Sequence, residues 1–210
     1  DEKGHFVGWK KIFSHGPHTV ISGILRLGFG IRPEKPWLPY SVIETLDHFL
    51  DKNSRVLEFG SGMSTLWYAK RIKEIFSIEH DFHWHKIVLK KIQKQGNTNV
   101  HLKFVQNKNK YVRFTRSSSN KFDLIIIDGK YRSDCVLNNA SLIKPGGIIY
   151  LDNSDTNSSP AKGDMRKAEK ALLTFAKKMR GKVNYFVDFA PGEFFVQEGM
   201  MVQLPGLLRK

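Results

Sequence analysis

The residues able to do chemistry in this chain sit where apolar runs end. Arg55–Phe59 leads into Glu58-Phe59-Gly60-Ser61-Gly62-Met63-Ser64-Thr65. Glycines at 60 and 62 let the backbone approach a ligand closely, and a helix opening there offers unpaired N–H donors. Glu79 follows 21 residues after Glu58, at the end of the next apolar run. That position suits an acid accepting hydrogen bonds from a ribose diol. Asp128 closes FDLIIID, and Asp152-Asn153 closes IIYLDN. Taken singly, Asp-Gly and Asp-Asn are turn dipeptides. Together they offer three hard oxygen donors, which suit Mg²⁺ or Ca²⁺ and would hold and deprotonate an acceptor hydroxyl.

Two ligand classes use a glycine loop followed by an acid: dinucleotides and S-adenosylmethionine. The dinucleotide fingerprint places a third glycine where this chain has Thr65. Glu58, immediately before the loop, would repel a pyrophosphate and attract an ammonium group. The charge pattern therefore favours the zwitterionic methionine of S-adenosylmethionine. Gly60-Ser61-Gly62 lacks the serine-hydrolase elbow. His83 and His85 diverge on a helix, and Cys135 reads as a small buried filler.

These residues need elements to hold them. Strand-like runs at Arg55–Phe59, Ile75–Glu79, Val100–Val105, Phe122–Asp128 and Ile148–Leu151 alternate with helical patterns at Ser64–Lys73, His83–Gln95, Ser133–Ile143 and Lys162–Arg180. Lys144-Pro145-Gly146-Gly147 reads as a helix stop and turn. Val183–Phe189 and Phe194–Leu204 supply the last two strands. The alternation predicts a doubly wound α/β fold with a mostly parallel sheet, whose ligand lies beyond the carboxyl ends of the strands. Residues 1–50 read as an N-terminal helical extension and 51–210 as the ligand-binding domain. Within the extension, Val20, Ile21, Ile24 and Leu25 share a helical face, Arg32–Tyr40 is a linker, and Ser41–Leu50 is amphipathic. Ser117–Asn120 and Asn153–Ser159 are low-complexity polar loops.

In order and spacing, VLEFGSGMST, SIEHD, FDLIIIDG and KPGGIIYLDN resemble the motifs of class I S-adenosylmethionine-dependent methyltransferases, from Val56 to the C-terminus. DGKYRSDC followed by KPGGIIYLDNSD looks most like small bacterial members without an assigned acceptor. The resemblance implies a seven-stranded sheet in the order 3-2-1-4-5-7-6, with an antiparallel final strand. It implies that Glu58, Gly60 and Gly62, with the intervening Phe59 and Ser61, form the methionine side of the cofactor site. Ser64 and Thr65 would cap the following helix and Glu79 would bind the ribose. Gln106 or Asn107 would lie near the adenine amine, and His80 or Trp84 would pack on the ring. Asp128, on the cofactor and acceptor side alike, and Lys130 are the catalytic candidates. Catechol-type O-methyltransferases are similar in placing Mg²⁺ on residues equivalent to Asp128, Asp152 and Asn153. Their catalytic lysine falls three residues after the first Asp; here Tyr131 stands there and Lys130 is one residue early.

The implied activity is methyl transfer from S-adenosylmethionine to an oxygen, with a nitrogen as the alternative, of a small or glycan-like acceptor. An aminopropyl transferase-like enzyme shares the fold, but its polyamine substrate calls for more acids than this chain offers. A non-catalytic module binding a partner or a membrane through the N-terminal segment is the other reading. Length and charge set the outer bounds. The 210 residues fit one domain, and 40% hydrophobic residues with fifteen Phe suffice for a core. No apolar run is long enough to span a bilayer, and the single Cys excludes an intramolecular disulfide framework, which suits a cytoplasmic location. The net charge of +14 is concentrated in Phe82–Phe122, with ten Lys or Arg and no acid. That run predicts weak, salt-sensitive nucleic-acid binding unrelated to catalysis.

Overall fold

The computed structural model describes residues 1, 3–30, 33–114, 121–156 and 164–206. The expected ends of the linker at Arg32 and of the last long helix at Lys162, the run at Ser117–Asn120 and the tail of the Asn153–Ser159 loop lie outside them. Seven strands form one sheet: β1 (Arg55–Phe59), β2 (Glu74–Glu79), β3 (Val100–Phe104), β4 (Phe122–Ile127), β5 (Ile143–Leu151), β6 (Lys182–Phe189) and β7 (Val196–Gln203). Their order is β3-β2-β1-β4-β5-β7-β6. The first five run parallel, and β7 lies antiparallel between β5 and β6, as the family resemblance implies.

Alternate residues of the central strands feed two cores. Leu57, Phe59, Ile125 and Ile127 pack on one face with helices α6 (Arg132–Asn139) and α7 (Met165–Met179). Val56, Leu124 and Ile126 pack on the other with α2 (Tyr40–Phe49) and α3 (Met63–Ala69), through Val42, Leu46 and Trp67. Burial on both faces is why β4 is a continuous apolar run rather than an alternating one. Helix α4 (Phe82–Gln95) follows β2, with Asp81 as its N-cap accepting from the Trp84 N–H at 2.8 Å. Its apolar Val88 and Ile92 face Leu66 and Met63. The connection after β3 is only a short turn of helix, α5 (Lys108–Tyr111), capped by Asn107. A longer helix, α1 (Trp9–Phe29), precedes the others and ends at Gly30 in the left-handed region.

Several boundaries differ from the sequence reading. The helix expected over Ser133–Ile143 ends at Asn139, followed by a 3-10 turn at Ala140–Leu142, and Ile143 already pairs with Phe122. Lys144-Pro145-Gly146-Gly147 is therefore an irregular part of β5, not a turn outside it. The register shifts between Phe122 and Leu124 there, which accommodates a proline that cannot donate to the ladder. Helix α3 stops at Ala69 instead of Lys73, and β7 begins at Val196 instead of Phe194.

Candidate functional site

The carboxyl ends of β2, β1, β4 and β5 stand side by side, bringing Glu79, Gly60, Asp128 and Asp152 to one rim. Hydrogen bonds run past the strand ends: Gly60 N–H to the Ile78 carbonyl, Asp128 N–H to Phe59, and Asp152 N–H to Ile127. A cavity of about 480 Å³ opens there. Its walls include Gly60, Ser61, Glu79, Trp84, Asp128 and Arg132, together with His80, Lys130 and Asp164.

Two glycines make the rim possible. Gly60 has φ +94°, a region open to glycine, and a Cβ there would come within 2.9 Å of Gly129 Cα. A Cβ on Gly129 would in turn lie 2.9 Å from the Gly60 nitrogen and collide with the Tyr111 hydroxyl. The turns after β1 and β4 touch backbone to backbone. Two non-glycine residues beside them, Tyr131 (φ 54°) and Asn153 (φ 51°), also lie in the left-handed region. Such strain persists only where the surroundings enforce it.

Glu79 is buried at the cavity wall and organises the loop. One carboxylate oxygen accepts from the Ser61 N–H (2.9 Å) and hydroxyl (3.1 Å), the other from the N–H groups of His80 (2.7 Å) and Asp81 (2.8 Å). The Trp84 indole N–H donates to the Ser61 carbonyl at 2.6 Å, closing the glycine turn from the side of α4.

Glu58 lies beneath the loop instead of on the cavity wall. It is fully buried and accepts hydrogen bonds from the hydroxyls of Ser64, Thr65 and Ser77, each at 2.6 Å. Thr65 also accepts from the Gly62 N–H at 3.0 Å, capping α3. Burial outweighs these three donors and pushes the Glu58 carboxyl up to about 7. Its raised value means stability that is present in acid and lost as the pH rises through about 7. Glu58→Gln should therefore be more stable than the parent at pH 8, by up to about 3 kcal/mol, and near parity at pH 4. Denaturant melts at the two pH values measure this; a constant difference would show that the carboxyl titrates normally.

Phe59 is core, against Tyr111. Gln106 is exposed and does not line the cavity, while Asn107 is occupied as the cap of α5. The acid-free lysine run falls on α4, β3 and α5, at the sheet edge formed by β3.

On the other half of the rim a guanidinium ties together the turns after β4 and β5. Arg132 Nη2 donates to the Asp128 carboxylate (3.1 Å) and carbonyl (3.1 Å) and to Asn153 Oδ1 (3.2 Å). Its Nη1 donates to the Asp152 carbonyl, and its Nε to the Gly129 carbonyl at 2.9 Å. Asp152 is buried and accepts from the Tyr150 hydroxyl at 2.8 Å. Burial, and next the negative charge of Asp128, hold the Asp152 carboxyl well above its ordinary range. Asp128, with a third of its side chain exposed, faces the cavity. Arg132 thus occupies two of the three side chains expected to hold Mg²⁺, Asp128 and Asn153, and a divalent ion does not fit beside its guanidinium. Arg132 escaped the sequence reading, although an Arg four residues after Asp128 at a helix start is the signal that marks it.

A second cavity, about 660 Å³, adjoins Asn153 and is lined by Asp155, Thr156, Phe194 and Phe195. It continues the rim beyond β5.

No protein-family model and no curated protein matches the chain. Solved structures do. The O-methyltransferase TomG from Streptomyces achromogenes, involved in tomaymycin synthesis and solved with SAM, aligns with a TM-score of 0.63 at 14% identity, over 94% of this chain and 96% of that one. An O-methyltransferase from Bacillus cereus in complex with SAH gives 0.59 at 14% identity, over 90% and 99%. An rRNA methylase from Streptococcus thermophilus gives 0.55 at 11% identity, over 77% and 93%. At these identities the likeness carries the architecture, and strand order agrees with it: the chain has the class I S-adenosylmethionine-dependent methyltransferase fold.

Proposed function

We propose that the chain is an S-adenosylmethionine-dependent methyltransferase acting on a hydroxyl of a small-molecule or glycan-like acceptor. The observation that carries this reading is the cavity at the strand ends, where a buried Glu79 and a side-chain-free Gly60 face Asp128. The residues fit the cofactor. Glu79 presents a carboxylate to a ribose diol, for which the Ser61 hydroxyl, the longest of its four hydrogen bonds, is the displaceable one. Trp84 and His80 flank the same wall. When bound, the cofactor supplies an already activated sulfonium methyl group.

The chain then has two tasks, alignment and one proton. We assign to Asp128, on the cavity wall opposite Glu79, the acceptance of the acceptor O–H proton as the oxygen becomes nucleophilic. Asp152 is buried and lies off the cavity wall, and Arg132 fixes the Asp128 carboxylate in position. Lys130 lines the same cavity and offers an ammonium to an anionic acceptor. The acceptor enters from the Asn153 side, through the cavity bounded by Phe194 and Phe195.

Calorimetric titration with S-adenosylhomocysteine, followed by transfer of labelled methyl to a panel of phenols, catechols and sugars, tests the reading. Micromolar binding with label on oxygen is the expected result. Failure of the unmodified chain to bind the product would end it, and label on amines would reassign the accepted atom.

A further inference from the structure

Helix α1 inverts the usual pattern of a surface helix, which buries its apolar stripe and exposes its polar one. Its inward face carries Thr19, Ser22 and Gly23. Thr19 donates to the Ala190 carbonyl at 3.3 Å, Ser22 accepts from the Gly192 N–H at 2.9 Å, and Phe194 lies so close over Gly23 that a Cβ there would sit 2.4 Å from the ring. Lys11, His15 and Arg26 hold this face down by binding the Val187 carbonyl, Asp188 and Glu193. The outward face carries Trp9, Phe13, Val20, Ile24 and Leu27, at helical spacing along roughly 30 Å. Trp9 is 69% exposed, Phe13 76% and Leu27 68%. Phe6 and Ile21 extend the patch, and the exposed Phe194 and Phe195 border it. Packing is not disordered here; the helix is pinned by its polar side with its apolar side turned out.

We propose that this face docks on an anionic bilayer surface. Charge selects that occupant over a second copy of the chain. Residues 3–33 contain five Lys or Arg and no acid; Lys3, Lys11 and Arg26 pair with Glu198, Asp188 and Glu193, while Lys10 is exposed among the outward apolar residues. Two copies at +14 each repel, whereas an anionic leaflet attracts the same segment. Aromatic residues concentrated at one end, Phe6, Trp9 and Phe13, suit the depth of lipid headgroups. Helix α1 does not meet the length and hydropathy needed to cross a membrane, so it lies in the interface plane.

Vesicle sedimentation of the full chain tests the proposal. Binding to mixed phosphatidylcholine–phosphatidylserine vesicles should exceed binding to phosphatidylcholine alone by at least about tenfold at low salt, and fall as salt rises. Trp9→Ser, Phe13→Ser and Ile24→Ser combined should lower the partition coefficient by at least about 100-fold at an unchanged thermal midpoint. Lys10→Glu, which leaves the apolar face intact, should lower it roughly tenfold. Absence of binding to the anionic vesicles, or equal binding by parent and both variants, would overturn the proposal. So would light scattering showing a parent dimer that the triple variant dissolves, since the face would then belong to a second copy.

Discussion

Arg132→Met should lower the thermal midpoint by roughly 10 °C and abolish turnover. The guanidinium is mostly buried and donates to four residues, Asp128, Gly129, Asp152 and Asn153. Removing one partner of a buried ion pair costs about 3–5 kcal/mol. The lower end applies, because Asp128 keeps a third of its surface in water. For a domain of this size each kcal/mol moves the midpoint by about 2–4 °C. Arg132→Lys should recover little, since an ammonium cannot reproduce a planar fork. Asp128→Asn in the Met background should recover part of the loss by removing the stranded charge. Scanning calorimetry reads all four proteins; an unmoved midpoint in Arg132→Met would reduce the bridge to a surface contact.

Glu79→Ala should weaken S-adenosylhomocysteine binding by at least about 100-fold. Hydrogen bonds to a charged group contribute about 1.5–3 kcal/mol each, and the variant loses two to the ribose. It also strands the N–H groups of Ser61, His80 and Asp81, which now share one carboxylate. Glu79→Gln, which keeps the shape and one acceptor oxygen, should lose about tenfold and fold normally. Calorimetric affinities for the three proteins settle the comparison. Equal affinity of parent and Ala variant would remove Glu79 from the binding site.

The fold was legible because its strands are buried on both faces and each is closed by a residue that cannot continue it. FDLIIID and VLEFG declare central parallel strands without any tertiary information. The start of β5 was not legible: Pro145-Gly146-Gly147 has turn chemistry, and only pairing across the sheet, Ile143 to Phe122, turns it into strand. The rim residues Gly60, Glu79 and Asp128 were legible for the same reason as the strands. Glu58, expected on the methionine side of the cofactor, lies beneath the loop instead, because its surroundings depend on Ser77, contributed by β2, which no local pattern announces. Arg132 was hidden differently. Its partners come from two strand ends, and a lone arginine at a helix start reads as a solvated charge until those ends are adjacent.

The buried Glu198 on β7 joins the two ends of the chain to the rim. It accepts from Lys3 Nζ at 2.6 Å, contacts His5 Nδ1 at 2.9 Å, and accepts from the hydroxyl of Ser154, next to Asn153, at 2.8 Å. Together with Asp188 and Glu193 it supplies the anchors of the N-terminal segment, and all three come from the last 25 residues of the sequence. Residues 3–26 find these partners 167 to 195 residues further along the sequence. Closing so long a loop is entropically costly, so α1 is held by contacts that the sheet must first assemble. Loss of those few polar anchors would release the helix while leaving both sheet cores intact, since no residue of α1 belongs to either.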